Sequence, residues 1–342
     1  MIFKIIIIVL FYFVLNKFFI NKNILLDKID ISQHKRGVAI NKKTPLTGGL
    51  IFIIFMFFTP ILEDQIFIIS ILMIYLLGLL SDVNILSSPP KRIFFQSLIL
   101  TGMIFFGNLE IRTISIEFFD KILEINFLNI FFLLLCLLVL VNGSNFLDGL
   151  NTLVVVYFLI CLIIIYISSN YYNLIIDYDL FKNIIVILTI ISLFNLFGKS
   201  FLGDSGSYCI AFFVGVICIK FIYENPQTVS PYFIALLLWY PALENLFSII
   251  RRSLFKKKLS LADNHHLHHL VYLFLNKKFS KKNKILINSL SGIVINIYNF
   301  ILISFSVFFI SNSKVLILII LLNLMMYLLT YNFLQKLIRF EK

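Results

Sequence analysis

Three aspartates and five histidines carry most of the chemistry open to this chain. Asp82 stands in "GLLSDVN" (78–84), Asp148 in "NGSNFLDGLN" (142–151) and Asp204 in "FLGDSGS" (201–207), each with Gly or Ser nearby and each at the end of an apolar run. If the three carboxylates converge, their mutual repulsion requires a cation or a shared proton. Hard oxygen ligands with no Cys beside them select Mg²⁺, with Mn²⁺ as its substitute, and such an ion binds one or two carboxylates together with substrate phosphates. Gly149 beside Asp148, and Gly203 and Gly206 around Asp204, would let backbone N–H groups close on a phosphate, with a following helix start to help bind it. The pattern is that of a diphosphate and a metal. A helix of 150–169 that began early would also place Asn145, Asp148 and Thr152 on one face.

The histidines His34, His265, His266, His268 and His269 offer a second pattern. In "ADNHHLHHL" the residues His265, His268 and His269 fall at i, i+3 and i+4, a spacing that serves zinc on a helix. No Cys joins them, and Arg251, Arg252, Lys256, Lys257 and Lys258 nearby suit a phosphate better than a cation.

The elements that must position these groups follow from composition. Hydrophobic residues make up 60% of the 342, charged residues 13%, and the mean hydropathy is +1.00. A soluble domain of this size would need a charged surface that is not there, so the bilayer is the solvent. The expected fold class is all-α, a polytopic membrane bundle of about 10–11 helices forming a single integral-membrane domain over 1–342. Apolar runs lie at roughly 2–20, 46–62, 65–81, 92–108, 127–141, 150–169, 180–198, 206–223, 231–250, 286–310 and 314–335. The first has no small-residue cleavage site after it and reads as a retained helix. Cys136, Cys161, Cys209 and Cys218 all lie inside apolar runs and read as packing residues.

Charge orients the bundle. Most of the 29 Lys and Arg fall in alternate connections, 21–45, 82–91, 142–149, 199–205 and 251–285, and in the C-terminal tail. Acids such as Glu63, Asp64, Glu110, Asp120 and Asp177 crowd the opposite face. By the positive-inside rule the basic face is cytoplasmic and the N-terminus lies outside. The net charge of +12 therefore calls for no nucleic acid and suits anionic lipid and a phosphorylated substrate. All three aspartates and all five histidines sit on that basic face.

Five elements together resemble the polyprenyl-phosphate N-acetylhexosamine-1-phosphate transferases, the family of the phospho-MurNAc-pentapeptide translocase and of enzymes that start O-antigen and related glycans. They are "TPLTGG" (44–49), "GLLSDVN", "NGSNFLDGLNTL" (142–153), "FLGDSGS" and "DNHHLHH" (263–269), in the family's order and on one face. The resemblance implies a bacterial inner-membrane enzyme with cytoplasmic catalytic loops. A polyprenyl (undecaprenyl) phosphate would attack the sugar-bearing phosphorus of a UDP-N-acetylhexosamine and UMP would leave. It further implies Asp204 as the magnesium ligand and Phe201 as the aromatic stacked on uracil. Asn145 and Asp148 would line the nucleotide and diphosphate pocket, and His266, His268 and His269 would lie near the pyrophosphate. Lys199 and Arg252 are expected as phosphate partners, Asp82 as a catalytic residue, and a homodimer in the membrane.

The departures are specific. The family's acidic pair reads Ser81-Asp82, so the residue often assigned as base for the lipid phosphate is missing, and any base role passes to Asp82. A phosphate monoester is already largely ionised near neutral pH, which makes a dedicated base dispensable. Asn151 stands where many members carry another acid. These variants resemble the branch that initiates surface glycans. An inactive homologue or membrane scaffold is the rival reading, while a transporter would place its ionisable groups near mid-membrane, where this chain is apolar.

Overall fold

An apolar run inside a bilayer has no water to satisfy its N–H and C=O groups, so it must bond to itself as a helix. The computed structural model describes residues 2–27, 44–57, 64–254, 266–279 and 283–339. Its helices are α1 (Ile2–Lys22), α2 (Gly48–Phe57), α3 (Gln65–Asp82), α4 (Pro89–Phe106), α5 (Glu117–Leu123), α6 (Asn126–Leu147) and α7 (Leu153–Tyr172). They continue as α8 (Tyr178–Leu196), α9 (Gly203–Glu224), α10 (Pro231–Leu237), α11 (Trp239–Leu254), α12 (Leu267–Lys278), α13 (Lys284–Ser306) and α14 (Ser313–Arg339). Among the described residues the one β contact is an isolated bridge between Leu26 and Pro45.

Among the described residues, eight helices are long and apolar enough to cross a membrane, or nine if the bent pair α10–α11 is one span. Each of the eleven expected spans has a helix over it. The two that fall short are α2, with 10 described residues, and α4, which opens on Pro89, Pro90, Lys91 and Arg92. The expected loop at 142–149 is shorter than its polar residues implied. Asn142 and Ser144 bond back to the carbonyls of Leu138 and Leu140, at 2.9 and 2.7 Å, which keeps them inside α6.

The hub is α9. Of its span 89% is buried inside the protein, against 11% for α1 and 22% for α14, whose large apolar side chains face lipid instead. α9 packs on α2, α3, α6 and α7. Close approach to α3 depends on Gly78, because a Cβ there would lie 2.4 Å from the Cα of Ser205. No larger residue fits without pushing the two backbones apart.

α10 and α11 meet at 73°. Pro241 explains the break, since it has no N–H for the carbonyl of Leu237 four residues earlier. That carbonyl is recovered by the Tyr157 hydroxyl at 2.7 Å from α7. The bend carries α11 and its acid Glu244 toward the histidine segment.

Hydrogen bonds between distant segments gather the motif-bearing ends at one end of the bundle. The start of α7 meets the ends of α8 and α13 through Thr152 N–H on Asn195 and Asn151 N–H on Asn288. "TPLTGG" is fixed beside them: Phe201 N–H donates to the Pro45 carbonyl, Gly48 N–H to the Phe201 carbonyl, both at 3.0 Å. Thr47 bonds Ser200 at 2.9 Å, and Tyr12 of α1 reaches the same Ser200 at 2.7 Å. The Thr-Pro-Leu-Thr element is thus a clamp on the segment leading into α9.

Candidate active site

Asp204 is the second residue of α9 and the focus of the polar network at this end. Its Oδ2 accepts from the Ser81 hydroxyl at 2.6 Å and from Arg92 Nη1 at 2.8 Å, and its Oδ1 accepts from Asn145 Nδ2 at 2.6 Å. Arg92 Nη1 also donates to the Ser81 oxygen at 2.9 Å. The Arg92 and Asp204 side chains are 21% and 27% exposed, so the pair is sheltered yet open to a ligand. Four helices converge here: α3 brings Ser81, α4 Arg92, α6 Asn145 and α9 Asp204.

Asp82 has a different place from the one its sequence position implied. Its Oδ1 accepts from Asp204 N–H at 2.8 Å, and its Oδ2 accepts from Ser205 N–H at 3.1 Å and the Ser205 hydroxyl at 2.7 Å. It therefore caps the first turn of α9, whose own N-cap residue Leu202 offers no side-chain bond. Gly203, at φ +70°, makes room for it, since a Cβ there would lie 2.7 Å from Asp82 Oδ2. One expectation is corrected: the amides of Asp204 and Ser205 at the start of α9 are occupied by Asp82 and are not open to a phosphate.

The expected common face of Asn145, Asp148 and Thr152 is also corrected. Asn145 lies in the last turn of α6 and Asp148 is its C-cap, so these two stay neighbours. Thr152 is the left-handed N-cap of α7, at φ 67°, and its N–H is spent on Asn195. The chain reverses between them because α6 runs on to Leu147. Asn151 has a structural reason to be an amide: it is buried, its N–H donates to Asn288 at 2.6 Å, and its Nδ2 donates to Ser289 at 3.3 Å. A carboxylate could not make that last bond.

The remaining expected residues divide by exposure. Lys199 is exposed at the rim, whereas Arg252 is buried in the last turn of α11. Phe201 is buried against Leu46 and Ile285. His266 and His268 are buried, and His269 is partly open. Gly149 ties this segment to Asp148, for a Cβ on it would stand 3.2 Å from the His269 ring and 3.5 Å from His268 Nε2. Burial, and then the neighbouring imidazoles of His269 and His266, hold His268 well below the usual histidine pKa, so it is neutral near pH 7. His34 and His265 lie outside the described residues.

Two members escaped sequence reasoning. Arg92 counted only as a positive charge at a loop edge, because nothing local distinguishes a guanidinium aimed at Asp204 from a membrane anchor. Glu244 belongs to none of the five sequence elements. It is fully buried, accepts from Leu267 N–H at 3.1 Å and pairs with His266 Nδ1 at 2.8 Å. A lone acid inside an apolar span was the available signal.

Residues 65–222, from the start of α3 to the end of α9, match the family described as glycosyl transferase family 4. Among curated proteins, the chain is similar to the probable undecaprenyl-phosphate N-acetylglucosaminyl 1-phosphate transferase of Bacillus subtilis. The two are 26% identical over 226 residues, covering 66% of this chain and 62% of the relative's length.

Proposed function

We propose, from the match of residues 65–222 to glycosyl transferase family 4, that this chain is a member of that family and transfers a sugar 1-phosphate from a UDP-N-acetylhexosamine to polyprenyl phosphate. An oxygen of the lipid phosphate attacks the sugar-bearing phosphorus. The bond from that phosphorus to the bridging oxygen breaks, and UMP departs with the electron pair. The observation that carries this reading is the carboxylate of Asp204, held among Arg92, Ser81 and Asn145 at one end of a membrane bundle. There a lipid phosphate at the headgroup level and a soluble nucleotide could meet. The name of the Bacillus subtilis relative supports the acceptor and the group transferred.

The resident groups have separable tasks. Arg92 neutralises Asp204 in the free protein and is the cation nearest the carboxylate, free to turn toward a diphosphate oxygen as negative charge arrives. Asn145 and Ser81 hold the Asp204 carboxylate in one orientation. Asp82 fixes the first turn of α9 and so sets where Asp204 stands. Asp148 and His269, drawn together across Gly149, line the diphosphate side, with Lys199 at the rim. The lipid phosphate, already ionised, brings its own nucleophilic oxygen and needs no base.

A divalent ion fits the donor set. The oxygens of the Asp204 carboxylate and the Ser81 hydroxyl, 2.6 Å apart, would hold Mg²⁺ with Asp204 as the charged ligand, once the Arg92 guanidinium and the Asn145 Nδ2 that now bond the carboxylate turn away. When bound, the ion supplies charge neutralisation for the diphosphate. Ser81 and Asn151 in place of acids favour the branch that initiates surface glycans, with the site facing the cytoplasm.

The direct test incubates membranes holding the full chain with radiolabelled UDP-N-acetylhexosamines and undecaprenyl phosphate. Magnesium-dependent formation of a labelled lipid diphosphate, with UMP released, is the expected result. No transfer from any such donor would overturn the reading.

A further inference from the structure

Glu244, His266 and His268 are 0%, 3% and 0% exposed, and one ligand atom from each lies within 4.8 Å of the others. Two features of this cluster are unresolved by the protein alone. Both ring nitrogens of His268 lack a hydrogen-bond partner, although the residue is fully buried. The buried Glu244 carboxylate meets the His266 ring at Nδ1, 2.8 Å away. Burying a carboxylate and an imidazole with bonding capacity left over is costly unless something completes them.

We propose that Glu244, His266 and His268 form a transition-metal site, and that zinc is the ion their one oxygen and two nitrogens fit. Tetrahedral zinc with ligand bonds of ~2.0–2.2 Å holds its ligand atoms ~3.3–3.6 Å apart. Glu244 and His266 meet at 2.8 Å and the three ligand atoms all lie within 4.8 Å, so small side-chain shifts bring them to that spacing. The Leu267 N–H on the other Glu244 oxygen, at 3.1 Å, is the outer bond that orients a ligating carboxylate. The His269 ring lies 4.2 Å from that of His268. The ligands come from α11 and from the residues opening α12, so the ion would staple the bent helix to the histidine segment. The sequence could not disclose this set, because its anionic member lies far upstream of "HHLHH". This site draws His266 and His268 from the segment that the resemblance places near the pyrophosphate, and it shares no ligand with the magnesium site at Asp204.

Purify the full chain in detergent, without chelator and with a histidine-free affinity tag, load it with zinc, dialyse, and measure bound metal by mass spectrometry. The expected content is about one zinc per chain. Glu244→Gln and His268→Ala should lower retention at least roughly tenfold, while Asp204→Asn should retain zinc as wild type does. Wild-type protein holding less than about a tenth of an equivalent would overturn the proposal, whatever the variants' folding. So would full retention by Glu244→Gln and His268→Ala, or loss of zinc in Asp204→Asn. Transfer activity enters none of these outcomes, so failure here leaves the transferase reading untouched, and the reverse holds.

Discussion

The two ends of α9 each carry a carboxylate–cation pair, and they are built differently. At the start of the helix Arg92 meets Asp204 at 2.8 Å, with Ser81 and Asn145 on the same carboxylate and Asp82 fastening the turn beneath it. At the far end Lys220 meets Asp64 at 3.1 Å, with the side chains 38% and 34% exposed. A cavity of about 200 Å³ lies at the far end, lined by Asp64, Asp177, Lys220 and Glu224 among apolar residues. Charge is thus available at both ends. What separates them is preorganisation: several helices hold Asp204 in one orientation, whereas Asp64 spends one oxygen on the N–H of Phe67 as a helix cap and the other on a flexible lysine. A site for chemistry is recognised by how many independent elements fix one group, and a roomy cleft with an ion pair is insufficient.

The largest test of that contrast is Asp204→Asn. The amide keeps the shape and loses the charge, and transfer should fall by roughly 10²–10³-fold or more, measured as labelled lipid diphosphate in membranes with protein level as control. Substantial magnesium-dependent turnover would remove Asp204 from the centre.

Asp82→Ala probes the support under it. Leaving the leading amides of α9 without their acceptor should cost about 1–3 kcal/mol of stability, with a loss of transfer well short of that of Asp204→Asn. Thermal unfolding in detergent and initial rates check both. A catalytic base would instead show the full rate loss with stability unchanged.

Ser81→Asp sharpens the point further. It places a second carboxylate where a hydroxyl now donates to Asp204 at 2.6 Å, and Arg92 must then serve both. Wild type should be active, and the substitution should change single-turnover transfer by less than about tenfold, or ~1.4 kcal/mol in barrier, between pH ~6 and 9. An inactive wild type rescued by the aspartate would favour the reading of a degenerate homologue.

The smallest effect belongs to the other end. Lys220→Met should leave transfer within about twofold and change stability by no more than ~1 kcal/mol, as for exposed ion pairs. A large loss of activity would mean that the two ends of α9 are coupled.

Sequence alone determined the all-helical membrane character, because apolar runs of this length have one way to satisfy their backbone in lipid. It also determined that Asp82, Asp148, Asp204 and the histidines fall on the basic side of the alternation, and the spacing of the five elements carried the resemblance to the family. Tertiary structure decided what each residue does. Two adjacent positions, Ser81 and Asp82, turn to different tasks because successive side chains on a helix point in different directions: Ser81 bonds the Asp204 carboxylate, and Asp82 holds the amides of Asp204 and Ser205. Arg92 becomes a partner of Asp204 across 112 residues, and Glu244 a partner of His266 across 22. Such pairings depend on glycine-permitted approach at Gly78 and on the break at Pro241, which set distances between helices. Hydrophobic periodicity encodes which face is buried; it carries no record of which polar group waits on the neighbouring helix.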